Sequence, residues 1–245
     1  MRRTKSKPIA LSVIVPVYNE EERVHNLAQL CMFLAGKKYI RECIVVNDGS
    51  IDRTLTLLHA LQKKYRFHLI SYKKNRGKGY AIKKGIEQAK GSHVVFVDVD
   101  LSTDLSAFDH LLKMLPHAHI VIGTRKNKHA ELVERQSLLR ESMGRFFTFL
   151  SQIISGVFVS DFTCGFKCFE RTIAGKIARK QRIYGWAYDV EYLYLGKKMG
   201  SKIAELPVKW KNDQRTKVRF PQDIITSLRD ICLIRLQDVG GLYRR

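Results

Sequence analysis

No window of the chain reaches the roughly 18 consecutive apolar residues that span a bilayer. The apolar run at 9–17 is too short and too strand-like for a signal peptide. The five cysteines, at 31, 43, 164, 168 and 232, form no CxxC pair, and Cys164 and Cys168 lack partner ligands at zinc-site spacing. This excludes a secreted disulfide framework and a structural zinc, and implies reduced, mostly buried thiols in a cytosolic compartment. The histidines form no metal-like cluster, and no internal repeat or low-complexity linker occurs. Acids are scarce: 23 Asp and Glu face 44 Lys and Arg, for a formal net charge of +21. So basic a chain needs an anionic partner, which could be nucleic acid, an anionic membrane surface or a phosphorylated small molecule. No helix-turn-helix, zinc-finger or RNP-type pattern is present, so nucleic acid is not the expected one.

What is present is alternation. Apolar, β-branched runs predict strands at 11–17, 43–47, 67–72, 93–98 and 119–123. Between them, helical spacing predicts helices at 20–35, 52–65, 79–89 and 105–115, with Gly36 closing the first and Asp52 capping the second. The class is therefore α/β, a doubly wound, mostly parallel sheet. Ligands of such sheets bind at the carboxyl ends of the strands. The polar clusters stand there: Tyr18-Asn19-Glu20, Asn47-Asp48-Gly49-Ser50, Asp98-Val99-Asp100 and Thr124-Arg125.

After Gly123 the pattern changes. Arg125, Lys126, Lys128, Arg135, Arg140 and Arg145 lead into an amphipathic helix at 138–154. A compact segment at 161–169, a helix at 187–199 and a strand at 203–208 follow. A basic loop (Lys209, Lys211, Arg215, Lys217, Arg219) then precedes a last amphipathic helix from Pro221. The expected organisation is a basic tail at 1–10, one domain at 11–220 with halves at 11–125 and 126–220, and a C-terminal helix and basic tail at 221–245. The two amphipathic segments suit either a membrane surface, with cations meeting anionic lipid, or ordinary core helices. Phe146, Phe147 and Phe149 are expected in the core.

Asp98 and Asp100, two apart at a strand end, would project to one side. Two hard oxygen ligands leave room for water and diphosphate oxygens around Mg²⁺ or Mn²⁺. Asp48 suits hydrogen bonds from a base or ribose, or the turn that Asn-Asp-Gly-Ser itself favours. Asn75-Arg76-Gly77-Lys78-Gly79 opens a helix whose backbone amides and two cations suit a diphosphate. It is not a dinucleotide fingerprint, because Ile82 stands where the third glycine belongs, and no Walker A sequence occurs.

These segments, with Val13-Ile14-Val15-Pro16-Val17-Tyr18-Asn19-Glu20 and Val46-Asn47-Asp48-Gly49-Ser50-Ile51-Asp52, resemble in order and spacing the family 2 glycosyltransferases across about the first 125 residues. The resemblance implies the GT-A nucleotide-sugar-binding fold. In the second half, Asp161-Phe162-Thr163-Cys164-Gly165-Phe166-Lys167-Cys168-Phe169 and Gly185-Trp186-Ala187-Tyr188-Asp189-Val190-Glu191 look like segments of the polyprenyl-phosphate branch, dolichyl-phosphate β-glucosyltransferases above all. Thr163 stands where that branch has glutamine, and Gly144 where mannosyl relatives have serine.

The resemblance further implies an inverting hexose transfer from a nucleotide diphosphate sugar to a polyprenyl phosphate. UDP-glucose is the favoured donor and GDP-mannose the alternative. Pro16, Tyr18, Glu20, Asp48, Arg76, Lys78, Asp98, Val99 and Asp100 would bind the nucleotide sugar, with Asp98 and Asp100 as metal ligands. Arg125 and Arg140 would hold the acceptor phosphate, and Asp161, Asp189 and Glu191 are the candidate catalytic acids. The expected location is cytoplasmic, peripheral on the membrane face, although the anchor common in this branch is missing. A sugar or polysaccharide acceptor is the rival reading, but the Gln-x-x-Arg-Trp motif it calls for is absent.

Overall fold

The computed structural model describes residues 8–134, 138–213, 215 and 222–244, with only the backbone of 138 and 139. Most of the expected basic tail, Arg135, Lys217, Arg219 and the Pro221 helix start lie outside the described residues. β1 (Leu11–Val17) is buried along almost its whole length, as a strand covered on both faces must be. α1 (Asn26–Leu34) follows, then β2 (Ile40–Asp48), α2 (Thr54–Gln62), β3 (His68–Tyr72), α3 (Lys78–Gln88), β4 (His93–Phe96), α4 (Ala107–Met114) and β5 (Ile120–Thr124). The second half runs β6 (Glu131–Glu134), α5 (Leu138–Ser155), β7 (Lys167–Glu170), α6 (Arg171–Lys180), α7 (Tyr188–Lys198), β8 (Ile203–Pro207), β9 (Lys209–Lys211) and α8 (Gln222–Val239).

The large sheet has the order β3-β2-β1-β4-β7-β5-β8, parallel except for β7, which is antiparallel to both neighbours. β6 and β9 form a separate parallel pair. Side chains alternate between two core layers, as strand geometry requires. Ile14, Ile44, Val46 and Ile122 face a layer shared with α3, α6, α7 and α8. Val13, Val15, Val45 and Val121 face the layer shared with α1, α2 and α4.

Several expectations shift. The first helix starts at Asn26 because Arg23 and Val24 both donate to the Glu20 carbonyl in a tight turn (2.9 and 2.7 Å). β4 ends at Phe96, and Asp98 and Asp100 lie in the following turn, closed by Leu101 N–H donating to the Asp98 carbonyl at 3.1 Å. Their common direction thus comes from a turn and not from strand alternation. β7, α6 and the β6–β9 pair were not expected. Phe147 packs against the core, but Phe146 and Phe149 lie on the outer face of α5, 58% and 56% exposed, so the expectation of a buried phenylalanine set holds for Phe147 alone. α8 buries Ile231 and Ile234 in the core, so its inner face belongs to the main domain. Among the described residues no helix is long and apolar enough to cross a membrane.

Candidate functional site

β1 hands the chain to β2 on one side and pairs with β4 on the other, so the crossovers diverge at its carboxyl end. Such a switch point opens a crevice. Pro16 sits where it opens. Ile14 accepts the Val97 amide on the β4 side, which places the Pro16 nitrogen on that same side, just after β4 has ended. Its missing N–H therefore costs no ladder bond. The resulting cavity has a volume of about 700 Å³. Pro16, Tyr18, Glu20, Asp48, Lys78, Asp98, Val99, Asp100, Arg125 and Arg140 all line it. Arg76 does not; its guanidinium stacks on Tyr80, 3.8 Å from the ring centre, and donates to that hydroxyl.

Asp98 and Asp100 keep oxygens towards the cavity. Lys78 Nζ is 2.6 Å from Asp98, and Arg23 is 3.9 Å from Asp100. Burial opposes ionisation of Asp98, but Lys78 outweighs it and holds that carboxyl below the usual range. Burial and then the Asp98 charge push Asp100 up. A crowded, partly desolvated pair of hard oxygen donors fits a divalent cation. Among the described residues no three His, Cys, Asp or Glu side chains form a metal cluster, so the other ligand positions would fall to substrate oxygens and water. Gly165 completes this end: a β-carbon there would overlap the Asp98 carboxylate.

The loop before α3 departs from expectation. Asp48 accepts the amides of Arg76 and Gly77, each at 2.9 Å, and the Asn75 side chain at 2.9 Å. Gly79 N–H donates to the Tyr184 carbonyl at 2.8 Å. These amides are already engaged, so Lys78, not a backbone cradle, is what this loop offers an anion. Gly77, with φ of 98°, is needed for the close approach to Tyr184. Burial raises the Asp48 carboxyl against those bonds.

Arg125 donates to Asp161 from Nε (2.7 Å) and Nη2 (2.9 Å), reaches Thr163 Oγ1 at 2.7 Å, and lies 5.3 Å from the Trp210 ring centre. Burial works against both charges of the pair, but each partner outweighs it, lowering Asp161 well below the carboxylate range and raising Arg125. Arg140 enters from the first turn of α5.

Asp161, Asp189 and Glu191 do not line the cavity. Asp161 is fully buried behind Arg125. Asp189 is in ion-pair contact with the buried Lys167 at 2.8 Å, without hydrogen-bond alignment. Glu191 accepts the amides of Arg182 (2.8 Å) and Ile183 (3.0 Å) and the Tyr243 hydroxyl (2.5 Å). In this arrangement each holds a neighbour.

Sequence reasoning missed Arg23, which is 6% exposed and gathers Glu20 bidentately at 2.6 Å, with Asp100 and Asp213 within 3.9 Å. A cation in a run of glutamates reads as a solvated helical turn. It also passed over a readable sign: both tryptophans of the chain, Trp186 and Trp210, line the cavity.

The family model described as glycosyl transferase family 2 matches residues 12–177. A dolichyl-phosphate beta-glucosyltransferase of Dictyostelium discoideum is 34% identical over 251 residues, spanning 96% of this chain and 77% of its own. One of Drosophila melanogaster is 32% identical over 255 residues, spanning 98% and 78%. Among solved structures, glucosyl-3-phosphoglycerate synthase from Mycobacterium tuberculosis in complex with uridine-diphosphate is similar with a TM-score of 0.67 at 19% identity, over 94% of this chain and 80% of that one. The same synthase is also solved with Mn²⁺, UDP-glucose and glycerol 3-phosphate, with a TM-score of 0.63 at 19% identity, over 95% of this chain and 80% of that one. Those likenesses speak to the fold, which is GT-A. With the crevice, the carboxylate pair and the match over most of its length, the chain belongs to glycosyl transferase family 2.

Proposed function

We propose that this chain transfers a hexose, with inversion, from a nucleotide diphosphate sugar to dolichyl phosphate, with UDP-glucose as the favoured donor. The observation that carries the reading is one cavity lined both by a carboxylate pair and by Arg125 and Arg140. The relatives named dolichyl-phosphate beta-glucosyltransferase support both sugar and acceptor. The synthase solved with Mn²⁺ and UDP-glucose supports the donor and a divalent metal, Mn²⁺ or Mg²⁺.

Asp98 and Asp100 would hold the metal, which when bound neutralises charge on the departing nucleoside diphosphate. Lys78 adds a cation beside it. Arg125 and Arg140 hold the lipid phosphate against the anomeric carbon, on the face opposite the leaving group. One phosphate oxygen forms the new bond to that carbon as the bond to the diphosphate breaks. A phosphomonoester is ionised near pH 7, so no general base is needed. That suits acids which stand behind the wall. Asp161 fixes the Arg125 fork, a positioning task.

A lipid acceptor brings the enzyme to a membrane surface. α5 starts at the cavity with Arg140 and turns Phe146, Phe149 and Ile153 outward, with exposed Arg145 beside them. An apolar face beside cations, beginning at the acceptor end, suits peripheral contact with anionic lipid. The test is a sugar-nucleotide panel with Mn²⁺ or Mg²⁺ and dolichyl phosphate in vesicles, analysing the lipid product. We expect glucosyl lipid from UDP-glucose. No lipid-linked sugar from any donor would overturn the proposal, and mannosyl lipid from GDP-mannose would reassign the donor.

A further inference from the structure

Glu191 is fully buried on α7, away from the cavity, yet it is the meeting point of two distant parts of the chain. From one side it accepts the amides of Arg182 and Ile183, at the start of the stretch 181–186 in the connection between α6 and α7. From the other it accepts the hydroxyl of Tyr243, in the turn that follows α8. That turn is itself fastened, since the Tyr243 carbonyl accepts Lys180 Nζ at 2.8 Å and Gln237 lies 2.9 Å from the hydroxyl.

The same segment then forms a wall of the donor end. The Tyr184 carbonyl accepts Gly79 N–H and leaves no room for a β-carbon at Gly77. Gly185 and Trp186 line the cavity, and Lys78 Nζ stands 5.8 Å from the Trp186 ring centre. Gln181 adds bonds to Ile183 O (2.8 Å) and from Tyr192 (2.9 Å), which hold only the beginning of the segment. One buried carboxylate thus links the C-terminal turn to the surface against which the Lys78 loop rests. A buried carboxylate that loses a donor is left under-bonded, and its other partners must move to compensate. Burial already pushes Glu191 up to about 7, which makes it sensitive to such a loss.

We infer that Tyr243 and Glu191 form a clamp through which the C-terminal turn fixes the 181–186 wall, making both of them positioning residues for the donor. The inference rests on the reading of this end of the cavity as the donor site.

Tyr243→Phe deletes one hydroxyl. In a Trp210→Phe background Trp186 is the sole tryptophan, and its emission reports the wall with or without ligand. We expect a shifted Trp186 emission, UDP binding with Mn²⁺ weakened about three- to tenfold, and a matching rise in KM for UDP-glucose while kcat changes less than about twofold. Tyr194→Phe is the control: it removes the 2.5 Å bond to Asp238 near the same helix end without touching Glu191, and should leave emission and KM unchanged. Unaltered emission and KM in Tyr243→Phe, or an equal shift in Tyr194→Phe, would overturn the clamp. Should Tyr243→Phe not fold, Glu191→Gln must move the same readouts in the same direction, and its failure to do so counts equally against the clamp. If the wild-type protein binds no UDP, the donor reading fails instead, and ligand-free Trp186 emission still judges the clamp.

Discussion

Asp98 and Asp100 stand in front of a cavity wall; Asp161, Asp189 and Glu191 stand behind it. The front pair keeps oxygens open and shares the nearby cations with its surroundings. Those behind have their charge met by Arg125, by Lys167, or by two amides and a hydroxyl. The same side chain is a ligand where its partners leave room and a bracket where they do not. Burial alone does not separate the two classes, because it opposes ionisation in both.

Substitutions can break the comparison in order of expected effect. Asp98→Asn should cost the most, lowering kcat/KM for UDP-glucose about 10²- to 10³-fold and removing metal-dependent UDP binding. Calorimetric titration of UDP with and without Mn²⁺ checks it, and unchanged affinity would remove Asp98 from the front class. Asp161→Asn should act on stability first, costing about 3 kcal/mol because Arg125 is left without its counter-charge, together with a rise in KM for the acceptor. Since the Asp161 carboxyl is lowered in the fold, its contribution is present above its unfolded pKa and lost as pH falls through the lower folded one. Urea midpoints should therefore differ most from wild type near neutrality and converge in strong acid.

Glu191 has the opposite sign. Its carboxyl is raised by burial from 4.5 to about 7, so its contribution is complete below the lower value and lost as pH rises through the upper one. Glu191→Gln should fare better against wild type at about pH 8 than at about pH 5 in the same denaturation assay. A pH-independent difference would show that this carboxylate is not desolvated. Thr163→Gln, which restores the residue of the resembled branch, should change kcat/KM less than about fivefold. Thr163 gives Arg125 one acceptor at the rim while Asp161 still holds the fork, so a larger loss would make the threonine a specificity determinant.

Much of the front was legible in the sequence, because strand ends announce themselves: an apolar run stops and a polar cluster begins. Asp48, Asp98 and Asp100 were found that way, and Lys78 from its place at the start of a helix. The back was not, because nothing in Asp161, Asp189 or Glu191 as residue types tells a wall from its far side. β7 escaped for a related reason. It is four residues long and carries Lys167, 1% exposed in a central strand, so neither length nor period marks it. Phe146 and Phe149 were expected in the core because helical spacing predicts an apolar stripe but not which way it turns. Arg76 was placed in the site as a charge, whereas Tyr80, one turn on, holds its side chain outside.

β7 has a consequence for the order in which the molecule comes together. β4 and β5 are not neighbours; the strand between them comes from residues 167–170, synthesised more than forty positions after β5 ends. On a nascent chain β1 to β4 can pair as they emerge, but β5 has nowhere to dock until β7 leaves the ribosome. Closing so long a loop is slow, and until then two sheet edges stand unpaired. The stretch 11–125 is thus not expected to fold as a unit. A protein cut near residue 125 would be expected to aggregate through those two open edges.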